Sequence, residues 1–487
     1  MTSFKEIRQK AKIEIIPFLE KIEKNEPLRV GVLFSGGPAS GGSNVVAGLF
    51  DALKKRNDNS VLIGFLGGPS GILNERYKVL TKTDIDSVRN LGGFNLLGTG
   101  RTKISEEPQF QTSLAVFQKL DLDGLVIIGG DDSNTNAYFL HEFVQKHGGK
   151  TAIVGIPKTI DGDLKSEEIE ISFGFDTACK VYSEMIGNIS IDAMSSLKYW
   201  HFIKLMGRTA SHVTLECALQ THPNIALIGE EIEKEDWSLL KIVKYIADTV
   251  EERSKAGKDY GVILIPEGLI EFVPEVKKLI KELNRLLEMG GSKDMLSKSE
   301  RQVFDNLPLD IQNQLLEDRD SHGNVQVSKI ETEKLLSKMV NEELLNRKSK
   351  ISFNPAHHFF GYEGRCGYPS EFDATYCYNL GLNAARLIFE KKSGVMSLVY
   401  NLTKPVNEWG ASEVLLKNAL HQEERGGKIK KVIRKALVDL NGKVFSFYKA
   451  QREKDRVEDL YECPGPMQFN YEGFNIISKT LLLERMN

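Results

Sequence analysis

The chain has 487 residues, with 64 Lys and Arg against 67 Asp and Glu, a formal net charge of −3. That balance removes any general case for binding nucleic acid or a membrane through a basic surface, and no apolar run approaches the ~18 residues that span a bilayer. At roughly 150 residues per domain the length implies two or three domains; the polar start Met1-Thr-Ser-Phe-Lys-Glu6 has no apolar signal core, so a cytoplasmic protein is expected.

The first 25 residues read as one charged amphipathic helix ending near Asn25-Glu-Pro27. Arg29–Phe34 reads as a strand, followed by the glycine-rich loop 35–42 and a helix over 43–56, with Ser43 or Asn44 as its cap. The short apolar runs 61–66, 125–128 and 152–156 suit parallel strands buried on both faces. After about residue 173 a second α/β set begins: helix 176–192, strand 201–205, helix 210–219, and strands 225–228 and 262–265. From about 275 to 350 the pattern turns helical and charged, which reads as an inserted helical layer with a solvated face rather than a binding element. Residues 373–391 form another helical pattern. The five cysteines, Cys179, Cys217, Cys366, Cys377 and Cys463, are scattered and form no CxxC, so neither a disulfide framework nor a zinc site is expected, and all five read as isolated small hydrophobes.

Four groups of residues suit chemistry on phosphates. Ser35-Gly-Gly37 opens a glycine-rich turn between a strand and a helix, where backbone N–H groups approach phosphate oxygens; it is neither a Walker A loop nor a clean GxGxxG, and a plain tight turn fits it as well. Gly129-Gly-Asp131-Asp132-Ser133 follows an apolar strand; paired carboxylates beside phosphates call for a hard cation such as Mg²⁺, whereas a helix cap needs only one of them. Pro157-Lys158-Thr159-Ile160-Asp161-Gly-Asp163 places carboxylates beside a lysine, as a general base with a neutralising cation requires, although an Asp-Gly turn alone explains the local pattern. Arg101, Arg208 and Arg365 stand in glycine-flanked loops that suit bidentate phosphate recognition, and Glu267 follows another strand, where it suits sugar hydroxyls or a helix start.

Taken in order, these motifs resemble the phosphofructokinases, in particular the long pyrophosphate-dependent fructose-6-phosphate 1-phosphotransferases. The resemblance runs through Ser35-Gly-Gly37, Gly129-Gly-Asp-Asp-Ser133, Pro157–Asp163, Met206-Gly-Arg208, Pro266-Glu-Gly268 and Tyr362-Glu-Gly-Arg365, over roughly residues 29–410. It implies two Rossmann-like α/β parallel-sheet domains with an inserted helical segment and an active site in the cleft between them. The implied division is residues 1–173 plus about 364–415 for the phosphoryl donor and Mg²⁺, 174–363 for fructose 6-phosphate with the insertion at about 275–350, and an extension, 416–487, with no assigned role.

The resemblance also implies roles. Gly36, Gly37 and Arg101 would hold the donor phosphates, and Asp131 the Mg²⁺. Asp161 would be the general base on the 1-hydroxyl of fructose 6-phosphate, with Lys158 and Asp132 at the reacting end. Thr159, Ile160 and Asp163 would line the sugar side, and Met206, Gly207, Arg208, Glu267, Tyr362, Glu363, Gly364 and Arg365 would hold the sugar phosphate. Lys198 and Tyr199 match a pair supplied by a neighbouring subunit, which implies a homodimer at least. The reaction implied is reversible transfer from pyrophosphate, placed in glycolysis or gluconeogenesis. Asp132 and Lys158 stand where ATP-dependent relatives carry glycine. The alternatives are an ATP-dependent enzyme or a non-catalytic regulatory subunit; the second predicts eroded Gly-Gly-Asp-Asp or Thr-Ile-Asp loops, and both are intact.

Overall fold

The computed structural model describes residues 4–318, 325–425 and 428–465. Its strands in chain order are β1 (Arg29–Phe34), β2 (Val61–Phe65), β3 (Tyr77–Val79), β4 (Gly124–Gly129), β5 (Ala152–Pro157) and β6 (Tyr199–Leu205). There follow β7 (Ile225–Ala226), β8 (Tyr260–Pro266), β9 (Pro355–Phe360), β10 (Val395–Tyr400), β11 (Gly410–Leu415), β12 (Leu420–Arg425) and β13 (Lys428–Ile433).

Two sheets organise them. The first has seven strands in the order β11-β10-β5-β4-β1-β2-β3, parallel from β10 to β2 with antiparallel strands at both edges. β4 and β5 are buried along their whole length, which is why their sequences are continuous apolar runs rather than alternations. From β1 the chain passes to β2 on one side and returns to β4 on the other, so the loops after β1 and β4 flank a topological switch point, where open α/β sheets bind ligands. The second sheet, β7-β8-β6-β9, is wholly parallel and reverses direction between β6 and β9. The expected pair of α/β halves is present.

Helices pack on both halves. The Gly42–Arg56 and Glu371–Phe389 helices cross at Gly48 and Gly381: a Cβ at Gly381 would lie 2.1 Å from the Val45 carbonyl oxygen, and one at Gly48 2.1 Å from the Tyr378 carbonyl oxygen. Only glycine permits backbones this close. The described part of 274–346 is indeed helical, with helices Pro274–Glu288, Lys298–Asp305, Leu309–Glu317 and Thr332–Asn346. Their apolar faces join the core of the second sheet. The insertion is also pinned from below: the buried Lys204 ammonium donates to the Ile330 carbonyl at 2.9 Å and lies 3.4 Å from Glu333.

Several expectations need correction. The N-terminal helix covers only Phe4–Gln9. Pro17 disfavours helix at Ile16, and the Asn379 side chain instead takes the Ile16 N–H and donates to the Glu14 carbonyl. Neither Ser43 nor Asn44 caps the next helix: it starts one residue earlier, at Gly42, its cap is Gly41, whose φ of 100° suits glycine, and both side chains are buried in its first turn. The second strand of the second sheet is only Ile225–Ala226, shorter than the expected 225–228. Cys366 and Cys463 are exposed, and the Cys217 thiol points at the Cys179 carbonyl, so the cysteines are not all isolated core fillers. The extension is only partly described; 466–487 lies outside the described residues, as do 1–3 at the other end.

Candidate active site

The loops after β1, β4 and β5 emerge side by side because the strands are in register, Phe34 against Ile128 and Gly129 against Pro157. They are tied to one another. The Ser133 hydroxyl donates to Ser35 Oγ at 2.8 Å, the Lys158 N–H to the Gly129 carbonyl at 3.0 Å, and the Lys158 ammonium to the Gly37 carbonyl at 2.8 Å. Gly36 has a φ of 86° and pairs with Gly100, and the Thr99 hydroxyl donates to the Gly36 carbonyl. That pairing carries Arg101 to the rim.

The opposite wall comes from the second sheet. The loops after β6, β8 and β9 meet because Leu205 lies between Pro266 and Phe360. Gly268 sits so close to the Arg208 carbonyl that a Cβ there would be 1.8 Å from it, and the Gly207 N–H donates to the Glu267 carboxylate at 3.2 Å. Between the walls lies a cavity of about 490 Å³.

Most residues singled out in the sequence meet here. Gly36, Gly37 and Arg101 line the donor side with Asp131, Asp132 and Lys158. Thr159, Ile160, Asp161 and Asp163 form the floor, and Arg208 and Arg365 come from the other half. Met206, Gly207 and Glu267 stand behind this lining. Glu363 accepts the Gly361 N–H, Gly364 packs on the Tyr182 ring, and Tyr362 is exposed beneath the Arg365 guanidinium. Lys198 and Tyr199 do not line the cavity; they stack on each other at the exposed end of the Phe175–Ser196 helix, where Leu197 and Tyr199 have positive φ. Asp131 and Asp132 begin the Asp131–Lys146 helix, where carboxylates are favoured; its cap is Gly130, so neither Asp132 nor Ser133 is spent on capping.

Four contributors were not foreseen. Gln326 and Ser328, from the segment read as a solvated layer, reach the cavity. Lys103 pairs with Asp132 at 3.2 Å; its place two residues after Arg101 was a usable signal. Lys435, from the extension left without a role, stands 3.6 Å from Asp131 and 3.4 Å from Asp163. A lone lysine in a basic stretch gave no sign of this.

The electrostatics follow from burial. Asp161 is pushed up to about 7 by burial, with the Asp163 and Glu267 carboxylates adding to it. Burial lowers Lys158 to about 8, against the pull of Asp161. Asp131 is raised by burial although Lys435 opposes it, and Glu267 is raised by burial too. Burial works against the charge of Lys435, but Asp163, Asp131 and Asp161 outweigh it and its pKa rises. A carboxyl held up beside an amine held down, among arginines, is an arrangement for moving a proton next to an anion.

Known proteins were then compared. The family model described as Phosphofructokinase matches residues 29–388. The chain is 52% identical over 473 residues to the beta subunit of pyrophosphate–fructose 6-phosphate 1-phosphotransferase of Solanum tuberosum, covering 95% of this chain and 83% of that one. It is 50% identical to the pyrophosphate–fructose 6-phosphate 1-phosphotransferase of Porphyromonas gingivalis, covering 94% and 87%. The chain belongs to the phosphofructokinase family. Its fold agrees: a pyrophosphate-dependent phosphofructokinase from Nitrosospira multiformis superposes with a TM-score of 0.58 at 17% identity, covering 80% of this chain and 83% of that one.

The first loop reads Ala39-Ser-Gly-Gly-Ser-Asn44, whereas the resemblance to the family leads one to expect Ala-Pro-Gly-Gly-His-Asn. Both serines are buried away from the cavity; Ser40 donates to the Gly367 carbonyl and Ser43 to the Gly93 carbonyl. The substitutions therefore leave the phosphate-side glycines untouched. Among the described residues no group of three or more His, Cys, Asp or Glu converges as a metal cage. Two carboxylates, Asp131 and Asp163, do converge on one cation, the Lys435 ammonium. That donor set fits Mg²⁺, which takes one or two carboxylates and completes its shell with water and substrate phosphates. Among the described residues no helix is long and apolar enough to cross a membrane.

Proposed function

We propose that this chain catalyses reversible, Mg²⁺-dependent phosphoryl transfer from pyrophosphate to the 1-hydroxyl of fructose 6-phosphate, giving fructose 1,6-bisphosphate and phosphate. The observation that carries the reading is the pair Asp132 and Lys158 lining one cavity with Asp161. Asp132 puts a carboxylate where a third phosphate would have to pass, which opposes ATP by bulk and by like charge. The names of relatives at about half identity support the same donor and acceptor. The intact loops at Asp131 and Asp161 argue against a non-catalytic subunit.

Phosphoryl transfer through a loose transition state needs positioning and charge neutralisation more than covalent help. The donor phosphates rest on Gly36 and Gly37, with Arg101 and Lys158 as cations against them. Arg208 and Arg365 hold the 6-phosphate, with Glu267, Met206 and Tyr362 at the sugar. Asp161 takes the proton of the 1-hydroxyl as that oxygen bonds to phosphorus and the bond to the departing phosphate breaks. A carboxylate raised to about 7 is matched to that task near neutral pH. Asp131 with Asp163 would hold Mg²⁺, which when bound would neutralise donor charge. In the reverse direction the same groups serve, with Asp161 returning the proton to the departing sugar oxygen.

The same reading divides the chain into a donor half, 1–173 with 364–415, and a sugar half, 174–363. It has the site completed by Lys198 and Tyr199 of a second copy, since that exposed pair leaves the cavity of its own chain untouched. A coupled spectrophotometric assay with fructose 6-phosphate, Mg²⁺ and either pyrophosphate or ATP tests the reading. Pyrophosphate is expected to support turnover and ATP not, and Asp132→Gly to lower the pyrophosphate-to-ATP ratio of kcat/KM. A parent that prefers ATP would overturn it.

A further inference from the structure

The segment after β13 crosses the cleft. Its backbone is held alternately by the two halves. The Ile433 N–H donates to Thr135 Oγ1 at 3.0 Å, and the Ala436 N–H to the Asp163 carbonyl at 2.7 Å, both on the first half. His212 Nε2 pairs with the Ala436 carbonyl at 2.9 Å and the Val438 N–H donates to the buried Glu230 carboxylate at 3.0 Å, both on the second. Between these anchors only Lys435 points into the cavity, its ammonium 3.6 Å from Asp131 and 3.4 Å from Asp163. Asp163 is held from the other side by the Thr209 hydroxyl at 2.7 Å.

Two carboxylates facing one buried point repel each other unless a cation stands between them. We infer that Lys435 is that cation before metal and pyrophosphate bind, that it bars free divalent metal from Asp131 and Asp163, and that it yields the place only when metal arrives with pyrophosphate. The inference rests on the functional reading above, which puts Mg²⁺ at Asp131. An ammonium and a metal ion need the same carboxylate oxygens, so the two occupations exclude one another. Displacing Lys435 alone would take its charge from both carboxylate partners. Pyrophosphate supplies new anionic oxygens for the displaced ammonium, so metal and donor enter together. Lys435 thus acts as a positioning residue that orders substrate entry.

The test is isothermal titration of the full chain with MnCl₂, alone and with pyrophosphate present, for the parent, Lys435→Gln and Lys435→Arg. The parent is expected to bind Mn²⁺ measurably only with pyrophosphate. Lys435→Gln is expected to gain about tenfold or more in affinity for Mn²⁺ alone, the order set by losing one nearby cation. Lys435→Arg keeps the charge and is expected to keep Mn²⁺ out. Equal Mn²⁺ affinity in the parent and a folded Lys435→Gln would overturn the inference, as would an arginine variant that binds like the glutamine one. Should Lys435→Gln fail to fold, tight binding of Mn²⁺ alone to the parent overturns it independently. A parent that binds no Mn²⁺ even with pyrophosphate sinks the functional reading instead.

Discussion

Lys158 spans two loops: its backbone N–H bonds the Gly129 carbonyl after β4, and its ammonium bonds the Gly37 carbonyl after β1 at 2.8 Å. One residue thus fixes the spacing of the donor loops and faces the cavity with a cation. Lys158→Met is expected to lower kcat with pyrophosphate by ~10²–10³, the size of losing one preorganised charge partner. The KM for pyrophosphate should move less, because Gly36, Gly37 and Arg101 remain. Steady-state kinetics check the split; a rise in KM alone would make Lys158 a binding residue only.

The pH profile of kcat/KM for fructose 6-phosphate should be a narrow bell. That parameter reports the free enzyme. Below about 7 Asp161 is protonated and cannot take a proton, so the rate falls toward tenfold per unit as pH drops. Above about 8 Lys158 loses its charge and the rate falls again. Asp161→Asn should cost ~10²–10⁴ in kcat and remove the acid limb. An acid limb that persists unchanged in the asparagine variant would assign it elsewhere.

The two arginines should separate. Arg208 reaches only toward Glu271, 3.7 Å away, and belongs to the sugar wall. Arg365 reaches across the cleft: its guanidinium lies 3.0 Å from where a Cβ on Gly37 would be. Arg208→Ala should raise the KM for fructose 6-phosphate alone, by the ~1.5–3 kcal/mol of a charge-assisted hydrogen bond. Arg365→Ala should raise the KM for both substrates. Identical patterns in the two variants would contradict the placement.

Gly381→Ala tests the helix crossing. Its added carbon would sit 2.1 Å from the Val45 carbonyl oxygen, so the Gly42–Arg56 and Glu371–Phe389 helices must part. Overpacking of this kind costs ~1–3 kcal/mol. The melting temperature measured by calorimetry should fall; an unchanged value would mean the helices separate freely.

What the sequence disclosed follows a physical rule. β4, β5 and β8 announce themselves as apolar runs buried on both faces, and β1 and β6 do so despite Arg29, His201 and Lys204. Residues of the loops directly after them were legible for the same reason: Asp131, Lys158, Asp161 and Arg208 are placed by the strand that precedes them. Lys435 was not, since it reaches Asp163 through chain folding across more than half the molecule. Gln326 and Ser328 were hidden within a helical, charged stretch whose period describes packing rather than direction. The overlong N-terminal helix ignored Pro17, where local backbone chemistry overrides amphipathic spacing.

Lys204 makes the length of this chain hard to undo. Its ammonium lies under the Phe359 ring, 4.5 Å from the centroid, with Ile330 and Glu333 of the insertion as its polar partners. Excising the 275–350 segment would leave that lysine as an unpaired charge in an apolar bed, two positions before Met206. Breaking a buried pair from one side costs about 3–5 kcal/mol. A shorter descendant therefore needs two coordinated changes, the deletion and an apolar replacement at Lys204, and either order of single steps passes through a damaged protein. The insertion behaves as an evolutionary ratchet, simpler to acquire than to lose.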